Sequence, residues 1–233
     1  MTTDASSKLS TRTIVIGVIA LAAALLFMLP AASGPLRLIT KPIPVLCMAL
    51  WLALQPGRGA SQWAVIIGLV LGAAGDLLLE MGDSTFILGL VSFLLGHLAY
   101  IYAFMQDCRR PSRAGAVLAY IYGVIAFFVL YQAGNLGAMT IPVAAYVLVI
   151  TTMLWRGLSR LGAPGVVRLS GLWVRWKPLS FTISDSVLAY SMFVTRFDLA
   201  SLIIMSTYWL GQLGITLAAA TQRTPEPSTA TAG

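Results

Sequence analysis

The chain has very little charge for its size. Asp, Glu, Lys and Arg make up 10% of its 233 residues, whereas soluble domains usually carry about 25%. A chain with so few charged side chains cannot cover a surface that faces water, so a soluble domain is excluded. Hydrophobic residues, in contrast, make up 58% of the chain. This balance indicates an integral membrane protein.

Histidine and cysteine are also scarce. Because His97 is the only histidine, a zinc site built from several histidines is excluded by number. Cys47 and Cys108 provide neither a disulfide framework nor a spacing typical of metal ligands. The chain also lacks a P-loop, a dinucleotide-binding fingerprint and a Gly-x-Ser-x-Gly nucleophile elbow. We therefore predict a site with no metal ion and no cofactor.

Apolar stretches long enough to span a bilayer recur along most of the sequence. Turn or charge signals separate them, and we predict eight transmembrane helices at about 13–32, 38–54, 63–80, 86–106, 115–132, 139–156, 178–196 and 199–220. The predicted fold class is therefore an all-α integral membrane bundle. Residues 1–12 would form a short cytoplasmic N-terminal segment, 13–220 the transmembrane domain, and 221–233 a disordered cytoplasmic tail.

The net charge of +7 does not indicate nucleic-acid binding, because the basic residues lie in short loops between apolar spans. Twelve of the 15 Lys and Arg side chains fall on one side of the predicted membrane and three on the other. Basic loops stay in the cytoplasm, so both termini are predicted to be cytoplasmic. The expected location is a bacterial cell membrane, and the expected partners are membrane lipids. The sequence leaves the oligomeric state open.

Two aspartates occupy positions inside predicted spans. An ionisable side chain at the centre of a span costs roughly 2.5–3.5 kcal/mol on insertion scales, so residues kept there are candidates for function. Asp76 lies in the third span, and Asp185 lies in the seventh between Ser184 and Ser186. These serines either tune the carboxyl or clamp two helices together. Glu80 lies one helical turn after Asp76, near the span end, where an interfacial role is the simplest interpretation.

Other polar side chains lie on the second, fourth and eighth spans. One face of the fourth span carries His97 and Tyr100, and a buried histidine needs a polar partner even where such a stripe serves mainly for packing. Tyr208 and Gln212 share a face of the last span and are expected to line the same interior. Lys41 opens the second span, where it reaches the interface, neutralises the third-span aspartate or binds a lipid phosphate.

These motifs resemble the lysoplasmalogenase (YhhN-like) family. The resemblance covers spans two to eight and rests on Lys41-Pro42-Ile43-Pro44-Val45, Gly75-Asp76, the stripe of Phe86, Gly89, Phe93, His97 and Tyr100, Ser184-Asp185-Ser186, and Tyr208 with Gln212. It implies an eight-helix membrane hydrolase that acts on a lysophospholipid. The implied reaction cleaves the vinyl ether bond of lysoplasmalogens and releases a fatty aldehyde and a glycerophospho-base.

The reaction that the resemblance implies needs a general acid and a general base, which a protonated and an ionised carboxyl can supply. Our hypothesis gives these roles to Asp76 and Asp185, in either order. Lys41 would hold the phosphate. The remaining candidates for binding or orienting the substrate are His97, Tyr100, Ser184, Tyr208 and Gln212, with Glu80 as an additional candidate.

Two other functions are consistent with the sequence. A transporter or proton-coupled carrier also keeps acids inside the membrane, and solute flux without aldehyde formation would favour it. A lipid-binding membrane protein without turnover is the second alternative, and bound lipid that stays chemically intact would favour that function.

Overall fold

The computed structural model describes residues 10–29, 33–108, 111–134, 136–160 and 173–221, without the side chains of residues 107 and 173–179. Throughout these residues the regular structure is helical. The α-helices are α1 (Thr11–Met28), α2 (Pro35–Thr40), α3 (Ile43–Ala53), α4 (Ala60–Glu80), α5 (Phe86–Asp107), α6 (Arg113–Ala133), α7 (Thr140–Ser159), α8 (Trp173–Phe193) and α9 (Ala200–Ala220). Most of the predicted terminal segments, 1–12 and 221–233, lies outside the described residues.

Seven helical segments within the described residues are long and apolar enough to cross a bilayer. They are α1, Pro35–Ala53, α4, Asp83–Gln106, α6, Gly137–Ser159 and α9. They coincide with the first six predicted spans and the eighth, which confirms an all-α, multi-pass membrane protein. Helix α8 covers most of the predicted seventh span but is not among the seven. The count of eight spans and the cytoplasmic location of the termini stay predictions.

The predicted second span is interrupted near its start. It begins at Pro35 rather than at residue 38, and α2 gives way to α3 at Lys41 and Pro42. Because Pro42 and Pro44 have no N–H to donate, the hydrogen-bond ladder of the helix is broken here. The backbone still turns helically, since Lys41 N donates to the Arg37 carbonyl at 3.0 Å. The interruption leaves the side chains of Arg37 and Lys41 near the end of α4, where both contact Glu80.

Contacts between helix termini define two ends of the bundle. At the first, the Glu80 end, Arg37 of α2 contacts both Glu80 at the close of α4 and Ser201 at the start of α9. At the opposite end, the Arg156 end, Arg156 near the close of α7 donates to the carbonyl of Cys108, which follows α5. Helices α4 and α9 therefore meet at one end, and the final turns of α5 and α7 meet at the other.

Helix α4 lies in the middle of the core, where Val65, Leu69 and other residues of its apolar face are buried. Glycines on this helix allow aromatic side chains to approach its backbone. A Cβ atom at Gly72 would lie 2.9 Å from Tyr208 Oη, and one at Gly75 would lie 2.6 Å from the Phe93 ring. Non-bonded heavy atoms do not pack so closely against a Cβ atom. Glycine at these two positions therefore fixes where Tyr208 and Phe93 lie.

Candidate active site

Asp185 belongs to a group of polar side chains contributed by three helices, which we call the Asp185 cluster (Asp185, Tyr146 and His97). Tyr146 Oη of α7 donates a hydrogen bond to Asp185 Oδ2 at 2.9 Å. His97 Nε2 of α5 lies 3.7 Å from the same oxygen, and the histidine is buried. The His97 ring meets the Tyr146 ring edge-on at 5.5 Å between centroids. His97 is thus placed with Asp185 rather than with Asp76.

The serines beside Asp185 have other partners. Ser184 Oγ donates to the Ile204 carbonyl of α9 at 3.1 Å, which ties α8 to α9. Ser186 contacts the carbonyl of Thr182 on its own helix and the hydroxyl of Tyr122 on α6. In the part of the chain that the structure describes, neither serine hydrogen-bonds to Asp185. The carboxyl relies instead on Tyr146, which the sequence interpretation had missed.

Asp76 lies in a second group, the Asp76 cluster (Asp76, Tyr208, Gln212 and Tyr100), between α4, α5 and α9. Tyr100 Oη donates to Gln212 Oε1 at 2.6 Å. Tyr208 lies close enough to interact with the Asp76 carboxyl. Among the described residues, however, neither Tyr208 Oη nor Asp76 Oδ2 completes a hydrogen bond, although both atoms are buried. Tyr208 and Gln212 are both buried on α9 and lie one turn apart in this interior.

Two phenylalanine rings separate the clusters. The Phe181 ring contacts His97 at 6.0 Å between centroids and Tyr208 at 5.9 Å. The Phe93 ring meets Tyr208 edge-on, also at 5.9 Å. The polar face predicted for the fourth span is consequently divided, because His97 faces Asp185 whereas Tyr100 faces Gln212. The structure brings neither candidate aspartate into the other's cluster.

An open pocket lies between α5, α6, α7 and α8, with Leu79 of α4 at its edge. Asp185, Tyr146, Tyr122 and Ser186 contribute polar atoms to its wall, whereas most of the other lining residues are apolar. Asp76 is not among the described residues that line it. A mostly apolar lining with a few polar groups is the character of sites that bind amphiphilic ligands.

A charged group lies at the Glu80 end, beside the Asp76 cluster. This Glu80 cluster consists of Arg37, Lys41, Glu80 and Ser201. Arg37 Nε lies 2.8 Å from Glu80 Oε1, and Lys41 Nζ lies 3.0 Å from Glu80 Oε2. Arg37 Nη2 also donates to Ser201 Oγ at 3.2 Å. Glu80 is thus an ion-pair partner for both cations, and Lys41 is at the same time close enough to act electrostatically on the Asp76 carboxyl.

The described residues contain no group of three or more His, Cys, Asp or Glu side chains that could hold a metal ion. The site consists instead of carboxyl, phenol, imidazole and amide groups that face one another inside an apolar bundle. Such groups can transfer protons and bind oxygen atoms of a substrate.

The fold and these clusters define a class: a multi-pass membrane protein with carboxyl groups in its interior. Comparison with known proteins names the family. The model of the YhhN family matches residues 36–219, and the chain therefore belongs to this family. The predicted family resemblance is confirmed.

Several curated relatives share the name lysoplasmalogenase. The chain is 37% identical over 194 residues to human lysoplasmalogenase TMEM86B, which covers 82% of this chain and 77% of the relative. It is 33% identical over 201 residues to human lysoplasmalogenase TMEM86A, covering 80% and 79%. A lysoplasmalogenase of Mycobacterium tuberculosis (strain CDC 1551 / Oshkosh) is 30% identical over 163 residues, covering 66% and 59%. No solved structure matches the chain.

Proposed function

We propose that this protein is an integral membrane hydrolase that cleaves the vinyl ether bond of lysoplasmalogens. The products would be a fatty aldehyde and a glycerophospho-base. The relatives named lysoplasmalogenase support the reaction. The single structural observation that carries the proposal is the apolar pocket whose wall includes the Asp185 carboxyl. A hydrocarbon chain in this pocket brings its polar end to a group that can donate a proton.

The chemistry requires an acid, a base and one water molecule. The acid protonates the β-carbon of the vinyl ether, and the ether oxygen stabilises the resulting oxocarbenium ion. Water adds to the α-carbon and gives up a proton to the base, which leaves a hemiacetal. The hemiacetal hydroxyl then gives its proton to the carboxylate formed in the first step, and the bond from this carbon to the glycerol oxygen breaks as that oxygen takes the proton held by the base. The aldehyde and the glycerol hydroxyl are released, and the proton borrowed in the first step is returned.

We assign Asp185 as the carboxyl that reaches the substrate from the pocket wall. Tyr146 and His97 both approach its Oδ2 atom, so we assign the other carboxyl oxygen, Oδ1, to the substrate. A carboxyl fixed in this way needs little reorganisation when charge develops on the vinyl ether. Tyr146 would act as a positioning residue, since its hydroxyl holds Oδ2 and leaves Oδ1 to the substrate.

Asp76 would supply the second carboxyl, together with Tyr208. It lies behind the Phe93 ring, which lines the pocket and packs against both Gly75 and Tyr208. For both carboxyls to act on one vinyl ether, this ring has to turn aside when the substrate binds. The hydroxyl of Tyr208 would then direct water toward the oxocarbenium carbon.

We also propose eight membrane crossings with both termini in the cytoplasm, in a bacterial cell membrane. Helix α7 finishes at the Arg156 end and α9 begins at the Glu80 end, so the chain has to cross the bundle between them. Helix α8 has 21 residues and is therefore about 30 Å long, enough for this crossing. The uneven distribution of Lys and Arg supports the orientation.

One assay tests the reaction directly. Purified protein is incubated with vinyl ether, alkyl ether and ester lysolipids of equal chain length, and aldehyde, alcohol and fatty acid are measured. Only the vinyl ether lipid should react, and it should yield aldehyde. Fatty acid from the ester lipid, or intact lipid in all three samples, would contradict the proposal. Solute flux into liposomes in the absence of aldehyde would instead favour a transporter.

A further inference from the structure

We propose that Arg37 and Lys41 bind the phosphate of the lysolipid headgroup. When no substrate is bound, Glu80 forms ion pairs with both cations in its place. The inference rests on the proposed function and names the part of the site that recognises the headgroup. The ligand chemistry is a phosphate diester with one negative charge. Glu80 would therefore act as an internal anion that the incoming phosphate displaces.

The charges of the Glu80 cluster do not balance. Two cations share one carboxylate, with Arg37 Nε at 2.8 Å and Lys41 Nζ at 3.0 Å from its two oxygens. An ammonium and a guanidinium carry several N–H donors, and Glu80 and Ser201 accept only some of them. Among the described residues, the cluster itself thus carries one more positive than negative charge and keeps N–H donors without an acceptor, which are the features that a phosphate requires.

The burial of these side chains suits a ligand that enters from the membrane interface. The exposed fraction is 29% for the Arg37 side chain, 11% for Lys41 and 19% for Glu80. Partial shielding from water strengthens the attraction between a cation and a phosphate. The remaining exposure of the side chains leaves a path by which the ligand can reach them. The guanidinium is also held 4.1 Å above the Phe27 ring, which limits its movement.

The position of the Glu80 cluster fits the dimensions of the substrate. Glu80 follows Asp76 by four residues on α4, a separation of about 6 Å along the helix. In a lysoplasmalogen only the glycerol backbone separates the vinyl ether oxygen from the phosphate. A phosphate on Arg37 and Lys41 therefore places the vinyl ether at the depth of the Asp76 carboxyl.

An ion-pair clamp that merely joins α2, α4 and α9 would have the same geometry. The two roles differ in what they predict for Glu80→Gln. If the cluster is only a clamp, removing either the cation or the anion breaks it, and Glu80→Gln resembles Arg37→Gln. If the cations bind phosphate, removing Glu80 releases them from a competing anion, and Glu80→Gln tightens phosphate binding while Arg37→Gln weakens it.

The test measures binding, so it does not depend on turnover. A non-cleavable alkyl ether lysophosphatidylethanolamine and the matching 1-alkylglycerol, which lacks the phosphate, are titrated into protein in a detergent without phosphate. We expect Arg37→Gln and Lys41→Gln to raise the Kd of the phospholipid about tenfold, and Glu80→Gln to lower it about threefold. Binding of 1-alkylglycerol should change less than twofold in all three variants.

Arg58→Gln is the matched control, because this arginine contacts only the nearby carbonyls of Ala53 and Gln55 among its hydrogen bonds in the described chain. It should leave both ligands unaffected. Equal effects on the two ligands, or weaker phospholipid binding in Glu80→Gln, would overturn the headgroup site. So would inorganic phosphate that stabilises the protein to heat as strongly as the lysolipid does, because the site would then serve free phosphate.

The same titrations separate this inference from the proposed reaction. If the phosphate-dependent pattern appears but the vinyl ether lipid yields no aldehyde, the headgroup site stands and the hydrolase proposal fails. If aldehyde is released but the variants do not distinguish the two ligands, only the headgroup site is wrong.

Discussion

Asp185 and Asp76 are the same residue type and both lie inside the bundle, yet their surroundings differ. Asp185 accepts a hydrogen bond from Tyr146 and lines an open, mostly apolar pocket. Asp76 is 2% exposed, and its Oδ2 atom makes no hydrogen bond within the described residues. One carboxyl is thus presented to a ligand, and the other is enclosed beside a charged cluster. The comparison indicates that the role of a buried carboxyl depends on whether a ligand can reach it, and not on burial alone.

The largest expected effect follows from Asp185→Asn. An amide has nearly the same shape as a carboxyl and can still accept the hydrogen bond from Tyr146, but it cannot serve as a general acid. We expect aldehyde release to fall about a thousandfold, with little change in the melting temperature. The measurement is kcat with a vinyl ether lysolipid.

Asp83→Asn is the matched control for this substitution. Asp83 is exposed in the short turn that follows α4, because Gly82, with φ of 111°, ends that helix before the acid can join the face of Asp76. The activity of Asp83→Asn should stay within a factor of about two of the wild type, since the substitution lies at the surface. Comparable turnover in Asp185→Asn and Asp83→Asn would remove Asp185 from the mechanism.

Asp76→Asn is expected to have the next largest effect. We predict a fall in kcat of about a hundredfold, because a second proton-transfer group is lost. The protein should remain about as stable as the wild type, since the amide has nearly the same shape as the carboxyl and costs less to bury than a charged group. Kinetics and thermal unfolding in detergent measure the two effects. Near-normal turnover would show that Asp76 is structural and that Asp185 acts alone.

Sequence reasoning located both aspartates because the cost of a charge inside an apolar span can be judged locally. Most span positions followed from hydropathy in the same way. The partners of Asp185 and Glu80 could not be predicted, because they come from helices far apart in the chain. Tyr146 is 39 positions from Asp185, and Arg37 is 43 positions from Glu80. The one available signal for Tyr146 was its position within an apolar span, where a phenol hydroxyl needs a hydrogen-bond partner.

Tyr146→Phe tests whether the hydrogen bond positions Asp185. The ring and its edge-on contact with His97 are kept, and only the hydroxyl is lost. Hydrogen bonds to charged groups contribute about 1.5–3 kcal/mol, so we expect kcat to fall between about tenfold and a hundredfold with KM nearly unchanged. A purely structural role would lower stability and raise KM as well.

Tyr122→Phe is the control for that substitution. Tyr122 also lines the pocket, but its hydroxyl contacts Ser186 rather than Asp185. We expect its kcat to stay within about threefold of the wild type. If both variants lose activity equally, the polarity of the pocket matters and the bond to Asp185 has no special role.

The smallest expected effect concerns the apolar part of the pocket. Ala189 of α8 lies one turn beyond Asp185 on the same face and lines the pocket, so Ala189→Leu should shorten the space for a hydrocarbon chain. We expect kcat/KM for a long-chain lysoplasmalogen to fall about fivefold, whereas a short-chain substrate should be processed as before. Ala114→Leu, at an exposed position of α6, should alter neither rate. A uniform loss across chain lengths would mean that the chain lies elsewhere, and Asp185 would then lose the access that distinguishes it from Asp76.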